Sequence, residues 1–144
     1  KKFAKVYTFE PSPENYRLME RNLTGFQVTA IHAALGKAKG RCSVVENPRN
    51  CGDDRTGPGG EVAVVAIDDL NLEPDLIYLD IQGDELDALQ GARETLARCF
   101  PVVGIEYDRG LKGKPPGDTQ GFLESFGYRL VKKHKQDLIF ARTD

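Results

Sequence analysis

Short apolar runs alternate with amphipathic stretches along the chain, and this pattern predicts strands and helices in turn. Apolar or alternating runs of strand length occur at residues 5–9, 26–31, 41–46, 61–67, 75–81, 101–107, 128–133 and 138–142. Apolar residues at helical spacing predict helices at 12–22, 84–98 and 118–127. Stretches containing Gly and Pro at 47–60 and 109–117 are expected to be loops, and 68–74 a connector with room for one helical turn.

Residues 75–106 carry the clearest pattern in the chain. An apolar run ends at Asp80, an amphipathic helix follows after Gly83, and a second apolar run ends at Glu106. This order is typical of a βαβ unit, in which the carboxyl ends of parallel strands share one edge. The run 75–81 is apolar almost throughout, as in a central strand buried on both faces. We therefore predict an α/β fold with a mostly parallel sheet and a C-terminal antiparallel hairpin.

Composition narrows the class of protein. A chain of 144 residues corresponds to one domain, and a net charge of −2 gives no bulk attraction to nucleic acid or anionic membranes. The longest apolar runs are too short to span a bilayer. The three cysteines form no CxxC pair, so we expect neither a disulfide framework nor a zinc site, and a reducing cytoplasm as the location.

Acids at the ends of predicted strands are the first candidates for chemistry. Glu10 suits a carboxylate that accepts hydrogen bonds from ribose hydroxyls, or one that helps cap the helix starting at Ser12. Asp80 suits a ligand contact, or an acid satisfied by amides at the start of the next helix. Glu106 suits a base whose pKa is raised by desolvation, or a surface ion pair.

The polar loop residues are candidates for binding an acceptor. Residues 50–55 combine flexible and polar residue types, and Asp53 and Arg55 are the side chains that we expect to meet a substrate. Asp53 and Asp54 lack the spacing of an EF-hand, so no metal site is predicted. An ordinary surface loop is the alternative. Gln82 cannot act as a base, although its amide can orient a polar group.

Five blocks follow one another in the chain: VYTFEPSPENYRLMERNL, NPRNCGDDRTG, VAIDDL, DLIYLDIQGDELDALQGARETL and PVVGIEY. In this order they resemble the FkbM family of S-adenosylmethionine-dependent methyltransferases. The resemblance implies a Rossmann-like class I methyltransferase sheet over residues 1–144, with S-adenosylmethionine as cofactor. It also implies O-methylation of a small molecule or sugar. The chain departs from the family at Gln82, where an acid is usual, and at Tyr107, where a His is often found.

The resemblance also implies roles for individual residues. Those expected to contact the cofactor are Glu10, Ser12, Ala33, Ala34 and Asp80. Those expected to act in catalysis are Asp80 and Glu106. Those expected to face the acceptor are Gln82, Asp53 and Arg55. His32 lies in the region that would meet the adenine, as a ligand contact or as a structural residue.

The family's first central strand, with its glycine-containing turn, is missing from this chain. Strands 5–9 and 75–81 would then lack the neighbour that pairs with both, so we expect a fragment of a longer protein. A partner chain, or a sheet closed in another way, are the alternatives, and self-association stays open. Two other functions also stay open. One is a non-catalytic interaction domain that has lost cofactor binding. The other is a different nucleotide-binding α/β enzyme, such as a sugar-nucleotide binder, which would require a phosphate loop, and neither GxGxxG nor a P-loop is visible in the sequence.

Overall fold

The computed structural model describes residues 3–45, 47, 54–106 and 116–142. Among these residues the elements in chain order are β1 (Val6–Phe9), α1 (Pro13–Asn22), β2 (Val28–Ile31), β3 (Ala34–Leu35), β4 (Gly40–Val45), β5 (Arg55–Pro58), β6 (Val62–Val65), a 3-10 helix (Ile67–Leu70), β7 (Leu76–Leu79), α2 (Glu85–Gln90), α3 (Arg93–Cys99), β8 (Val102–Glu106), α4 (Pro116–Glu124), β9 (Tyr128–His134) and β10 (Asp137–Arg142). The predicted helical turn between β6 and β7 is thus confirmed.

The described strands form three small sheets. One contains only the parallel pair β1 and β2, and a second has the order β7-β8-β10-β9, in which β7 and β8 are parallel. The third has the order β3-β6-β4-β5 and contains one parallel pair, β3 with β6. The α/β class and the antiparallel hairpin β9–β10 are confirmed. The described sheets differ from the predicted single, mostly parallel sheet, because they are small and mixed and four of their seven strand pairs are antiparallel. The single sheet stays a prediction.

Part of that difference comes from β5, which lies inside a stretch predicted to be a loop. β5 pairs antiparallel with β4, with Arg55 opposite Val45 and Pro58 opposite Cys42. Gly57 and Pro58 are turn residues in most contexts, and they led to the loop prediction. At a sheet edge, Pro is tolerated because it need not donate to the ladder, so strand pairing prevails over local preference.

The helix predicted over 84–98 is two helices in the structure. The helix is interrupted at Gly91, where an added Cβ would lie 2.1 Å from the carbonyl oxygen of Gly36. Beyond the break, the Asp68 carboxylate accepts hydrogen bonds from the backbone N–H of Glu94 at 3.0 Å and of Thr95 at 2.8 Å. Asp68 therefore satisfies the free amides at the start of α3 from outside the helix, which ordinarily a cap residue does.

The hydrophobic core lies between helices α2–α4 and the four-stranded sheet β7-β8-β10-β9, which we call the core sheet. Its largest fully buried side chains include Tyr128, Phe140, Leu79, Leu89, Leu96 and Leu123. β7 was expected to be buried on both faces, but it buries Ile77 and Leu79 on one face and exposes Leu76 and Tyr78 on the other. The prediction failed because an apolar run cannot show by itself which face is covered.

The β1–α1–β2 unit, residues 6–31, is packed much less tightly. None of the residues of α1 is buried, and the unit contributes no residue to the core cluster. Among the described strands, β1 pairs only with β2, and β7 pairs only with β8. Each therefore presents one edge that is unpaired within the described part of the chain. No helix that the structure describes is long and apolar enough to cross a membrane.

Candidate functional site

Glu10 follows β1 and its carboxylate is held in place. The backbone N–H of Ser12 donates to Glu10 Oε1 at 2.7 Å, and the backbone N–H of Glu10 continues the pairing with β2 by donating to Ile31. Burial raises the pKa of Glu10, and the charge of Asp54 raises that pKa further. The Ser12 N–H and the charge of His32 act in the opposite direction. Glu10 is thus a half-buried carboxylate with a fixed orientation.

Helix α1 starts beside this carboxylate because its first residues are strong helix-start signals. The Ser12 hydroxyl accepts a hydrogen bond from the backbone N–H of Asn15 at 3.4 Å, Pro13 occupies the first turn, and Glu14 adds an acid there. The helix start at Ser12 is therefore confirmed. Ser12 is only 1% exposed and its hydroxyl serves the helix cap, while its predicted contact with a cofactor stays a prediction.

An aromatic pair forms the exposed surface next to Glu10. The rings of Tyr16 and His32 stack with centroids 4.9 Å apart, and His32 Nε2 donates to the Pro11 carbonyl oxygen at 3.1 Å. Ala33 and Ala34, predicted to flank the adenine, are 2% and 5% exposed. Flat stacking surfaces suit a base. Tyr16 falls within the predicted helix 12–22, but the sequence pattern does not indicate its contact with His32, which depends on how α1 packs on β2.

The carboxyl ends of β7 and β8 bring two predicted acids to one edge. Leu79 lies opposite Ile105 in the parallel register, so Asp80 and Glu106, the next residue on each strand, lie side by side at the ends of neighbouring strands. Asp80 is exposed, and Glu106 is half-buried. Gln82 Nε2 donates to Asp80 Oδ1 at 3.3 Å. Their shared edge agrees with the predicted βαβ unit, while their catalytic roles stay predictions.

The turn after Asp80 has a strained and well-held backbone. Gln82 adopts a φ of +58°, and Gly83 a φ of +110°. The Glu85 carboxylate accepts hydrogen bonds from the backbone N–H of Ile81 at 3.3 Å and of Gly83 at 3.1 Å, which holds this geometry. Gln82 Oε1 is buried and has no hydrogen-bond partner among the described residues. A buried acceptor oxygen without a partner is uncommon in folded proteins.

A short segment at the start of β5 connects the Glu10 side with the Asp80 side. Asp54 Oδ2 accepts a hydrogen bond from the Asn15 side chain at 3.2 Å, in the first turn of α1. Thr56 donates its hydroxyl hydrogen to the Asp84 carboxylate, in the turn that leads into α2. Residues two apart on an extended chain are separated by about 7 Å. The two helix starts that follow β1 and β7 are therefore linked across a short distance.

Two residues of the loop 50–55, Asp53 and Arg55, were predicted to face a substrate. Asp53 lies outside the described residues. Arg55 is exposed, and strand alternation places it on the face of β5 opposite to Thr56. Sequence reasoning considered Asp54 only as half of an acidic pair and did not single out Thr56. No local pattern indicates these two contacts, because their partners lie 39 and 28 residues away.

The core sheet adds a third acid along the same end. The Tyr78 hydroxyl donates to Asp137 Oδ1 at 2.8 Å, and Asp137 lies opposite Glu106 in the register of β10 and β8. That hydrogen bond, with burial and the charges of Asp137, Glu106 and Asp80, raises the pKa of Tyr78 to about 12. Within the described part of the chain, no group of three or more His, Cys, Asp or Glu side chains is arranged to hold a metal ion.

The chain was compared with known proteins. The family model of the methyltransferase FkbM domain matches residues 2–130. The crystal structure of methyltransferase FkbM from Methylobacillus flagellatus KT has a similar fold, with a TM-score of 0.65 at 24% sequence identity. The alignment covers 96% of this chain and 36% of that one, so the chain spans about a third of the other protein's length. No curated protein matches the chain.

Proposed function

The chain belongs to the FkbM methyltransferase family, and on that premise we propose that it binds S-adenosylmethionine and methylates a hydroxyl oxygen of a small molecule or sugar. The observation that carries the proposal is the Glu10 carboxylate, which Ser12 orients at the end of β1. A carboxylate has about four acceptor positions, and the Ser12 N–H uses one of them. Two ribose hydroxyls that donate to the others would offset the desolvation that raises the pKa of Glu10.

Other residues of the described site suit the remaining parts of this cofactor. The stacked pair of Tyr16 and His32 offers a flat surface beside Glu10 for the adenine, and the small buried residues Ala33 and Ala34 follow His32 in the chain. The exposed carboxylate of Asp80 suits the ammonium group of the methionine part. Glu10, His32 and Asp80 follow the ends of β1, β2 and β7, where ligands of α/β folds bind.

The cofactor, when bound, supplies a methyl group already activated on a sulfonium, so the protein contributes alignment and removal of a proton. Glu106 is half-buried at the same edge as Asp80. We assign to its carboxylate the proton of the acceptor hydroxyl, which is released as that oxygen gains the methyl group. The Gln82 amide would orient the acceptor so that its hydroxyl lies in line with the methyl group. The acceptor itself is a small molecule or sugar with at least one free hydroxyl.

The arrangement of two sheets supports a Rossmann-like class I fold as part of this proposal. One parallel strand placed between the unpaired edges of β1 and β7 would join them in the order β2-β1-x-β7-β8-β10-β9, where x is the added strand. All its parallel pairs would then run in one direction, with Glu10, Asp80 and Glu106 at the same edge. The third sheet, β3-β6-β4-β5, would lie beside this one as an addition.

Calorimetric titration with S-adenosylhomocysteine tests the proposal. The wild-type protein is expected to bind, and Glu10→Ala is expected to weaken binding about 30-fold or more, because charge-assisted hydrogen bonds contribute about 2 kcal/mol. Glu14→Ala is the matched control, since it removes an exposed acid from the first turn of α1. Absence of heat with wild-type protein at millimolar ligand would instead support a non-catalytic interaction domain.

A further inference from the structure

Asp54 occupies a position between the hairpin β4–β5 and helix α1. Its Oδ1 accepts a hydrogen bond from the backbone N–H of Asn47 at 2.8 Å, and its Oδ2 accepts from the Asn15 side chain at 3.2 Å. The two oxygens of one half-buried carboxylate thus bind two separate parts of the chain. Hydrogen bonds to an ionised acceptor are among the strongest that proteins make.

The contact with Asn15 continues to Glu10 through the first turn of α1. Asn15 donates its backbone N–H to the Ser12 hydroxyl at 3.4 Å, and Ser12 donates its own backbone N–H to Glu10 Oε1 at 2.7 Å. The path from Asp54 to Glu10 therefore contains hydrogen bonds at each step. Helix α1 has no buried residue, so these polar contacts carry a large share of the position of its first turn.

We propose, as a deepening of the proposed function, that Asp54 is a positioning residue for the cofactor: it fixes the first turn of α1, and through that turn the Glu10 carboxylate. Asp54 has no direct contact with cofactor in this role. Its own carboxylate oxygens are already engaged with Asn15 and Asn47. The inference separates Asp54 from Asp53 and Arg55, which the sequence presented as the ligand-facing residues of this loop.

The electrostatic surroundings of Glu10 give the inference a second readout. Among the described residues, the charged or titratable groups that face Glu10 are Asp54, just before β5, and His32, after β2. Burial is the main cause of its raised pKa, and the negative charge of Asp54 adds to it. Removing that charge should lower the pKa of Glu10. A residue with only a structural role elsewhere would leave this titration where it is.

Two variants separate the contact of Asp54 from its charge. Asp54→Asn keeps the shape but removes the charge and one of the two acceptor oxygens that serve Asn15 and Asn47, whereas Asn15→Ala breaks the Asn15 contact and keeps the charge. Glu14→Gln is the control, because it removes one negative charge from the same turn of α1. Thermal unfolding of each variant confirms that it is folded. The measurements are S-adenosylhomocysteine affinity by calorimetry at about pH 8, where carboxylates are ionised, and the Glu10 carboxyl titration by ¹³C NMR without ligand.

We expect Asp54→Asn to weaken S-adenosylhomocysteine binding about tenfold and to move the Glu10 midpoint to lower pH. Asn15→Ala should weaken binding with a smaller change in that midpoint, and Glu14→Gln should change neither. If wild type binds, and Asp54→Asn binds within about twofold with an unchanged midpoint, the role of Asp54 is wrong and the proposed function stands. If wild type itself fails to bind, the proposed function is wrong, and the role of Asp54 with it.

Discussion

The β1–α1–β2 unit and the core sheet hold their strand-end acids by different means. The core sheet is well packed, with Leu79 and Ile105 buried in the last positions before Asp80 and Glu106, yet Asp80 is exposed. The β1–α1–β2 unit contributes nothing to the core cluster, yet Glu10 is half-buried and held by a backbone amide at 2.7 Å. Tight packing and an organised polar site therefore occur in different regions of this molecule.

This difference shows which interactions hold the proposed cofactor-binding residues in place. Around Glu10 these interactions are the Ser12 cap and the hydrogen bonds of Asp54 and His32, which individually contribute about 1 kcal/mol. Around Asp80 they are the packing of the core sheet and the hydrogen bond from the Gly83 N–H to Glu85, which holds the turn at Gln82. We infer that ligand binding would stabilise the β1–α1–β2 unit more than the core sheet, since weakly packed elements open at low free energy.

Truncating one large side chain in each region tests the comparison most directly. Phe140→Ala on the core sheet removes a side chain that is 1% exposed, and we expect it to lower the free energy of unfolding by about 3–5 kcal/mol. Leu18→Ala on α1 removes one that is 48% exposed, and the expected change is less than about 1 kcal/mol. Urea unfolding followed by circular dichroism measures both. Similar losses would contradict the assignment of the core to one region.

A glycine at the junction of α2 and α3 gives the next largest effect. Gly91→Ala would place a Cβ 2.1 Å from the Gly36 carbonyl oxygen and 3.2 Å from Ala66 Cβ. Because the first of these atoms is backbone, relief requires one element to move, and we expect a loss of about 1–3 kcal/mol in the free energy of unfolding.

Gly121→Ala is the matched control for that substitution. Gly121 lies in α4, and no atom of the described residues beyond its chain neighbours and its own helix backbone lies within 4 Å of the added Cβ, so Ala should be neutral or stabilising by up to about 1 kcal/mol. The same urea unfolding series measures both variants. If Gly91→Ala were as stable as wild type, the close approach of Gly36 would not constrain the junction between the helices.

Gly91 shows how much of the structure could be predicted from the sequence. Local signals sufficed for the start of α1 at Ser12 and for the shared edge of Asp80 and Glu106, because capping residues and strand order are encoded in neighbouring residues. The break at Gly91 depends on Gly36, which lies in a different element. A periodic pattern of apolar residues contains no record of such an approach.

The missed parts of the site have the same physical origin. β5 was predicted to be a loop because Gly57 and Pro58 suggest a turn, whereas pairing with β4 decides its conformation. Asp54 and Thr56 acquire their roles from Asn15 and Asp84, which are distant in sequence. Contacts made across sheets are set by the packing of whole elements, so residue type at a single position does not predict them.

Tyr78 gives the smallest effect and sharpens the comparison on the core sheet side. Tyr78→Phe removes the hydrogen bond to Asp137 while keeping the ring, which lies over Gly104. We expect a loss of about 0.5–1 kcal/mol in the free energy of unfolding near neutral pH. Tyr7→Phe is the control, since Tyr7 is a partly exposed tyrosine of β1, and its expected change is below about 0.5 kcal/mol.

The pH dependence of this effect follows from the pKa of Tyr78, which the bond to Asp137 raises to about 12. The pKa of an unfolded tyrosine is about 10, so the folded state binds the proton more tightly. The contribution of Tyr78 is therefore fully present below about pH 10 and is lost as the pH rises toward 12. Urea unfolding at neutral pH and near pH 11 should show the difference between wild type and Tyr78→Phe shrinking. A difference that grows with pH would mean that Asp137 does not hold the Tyr78 proton, and that this end of the core sheet is no better organised than the surface of α1.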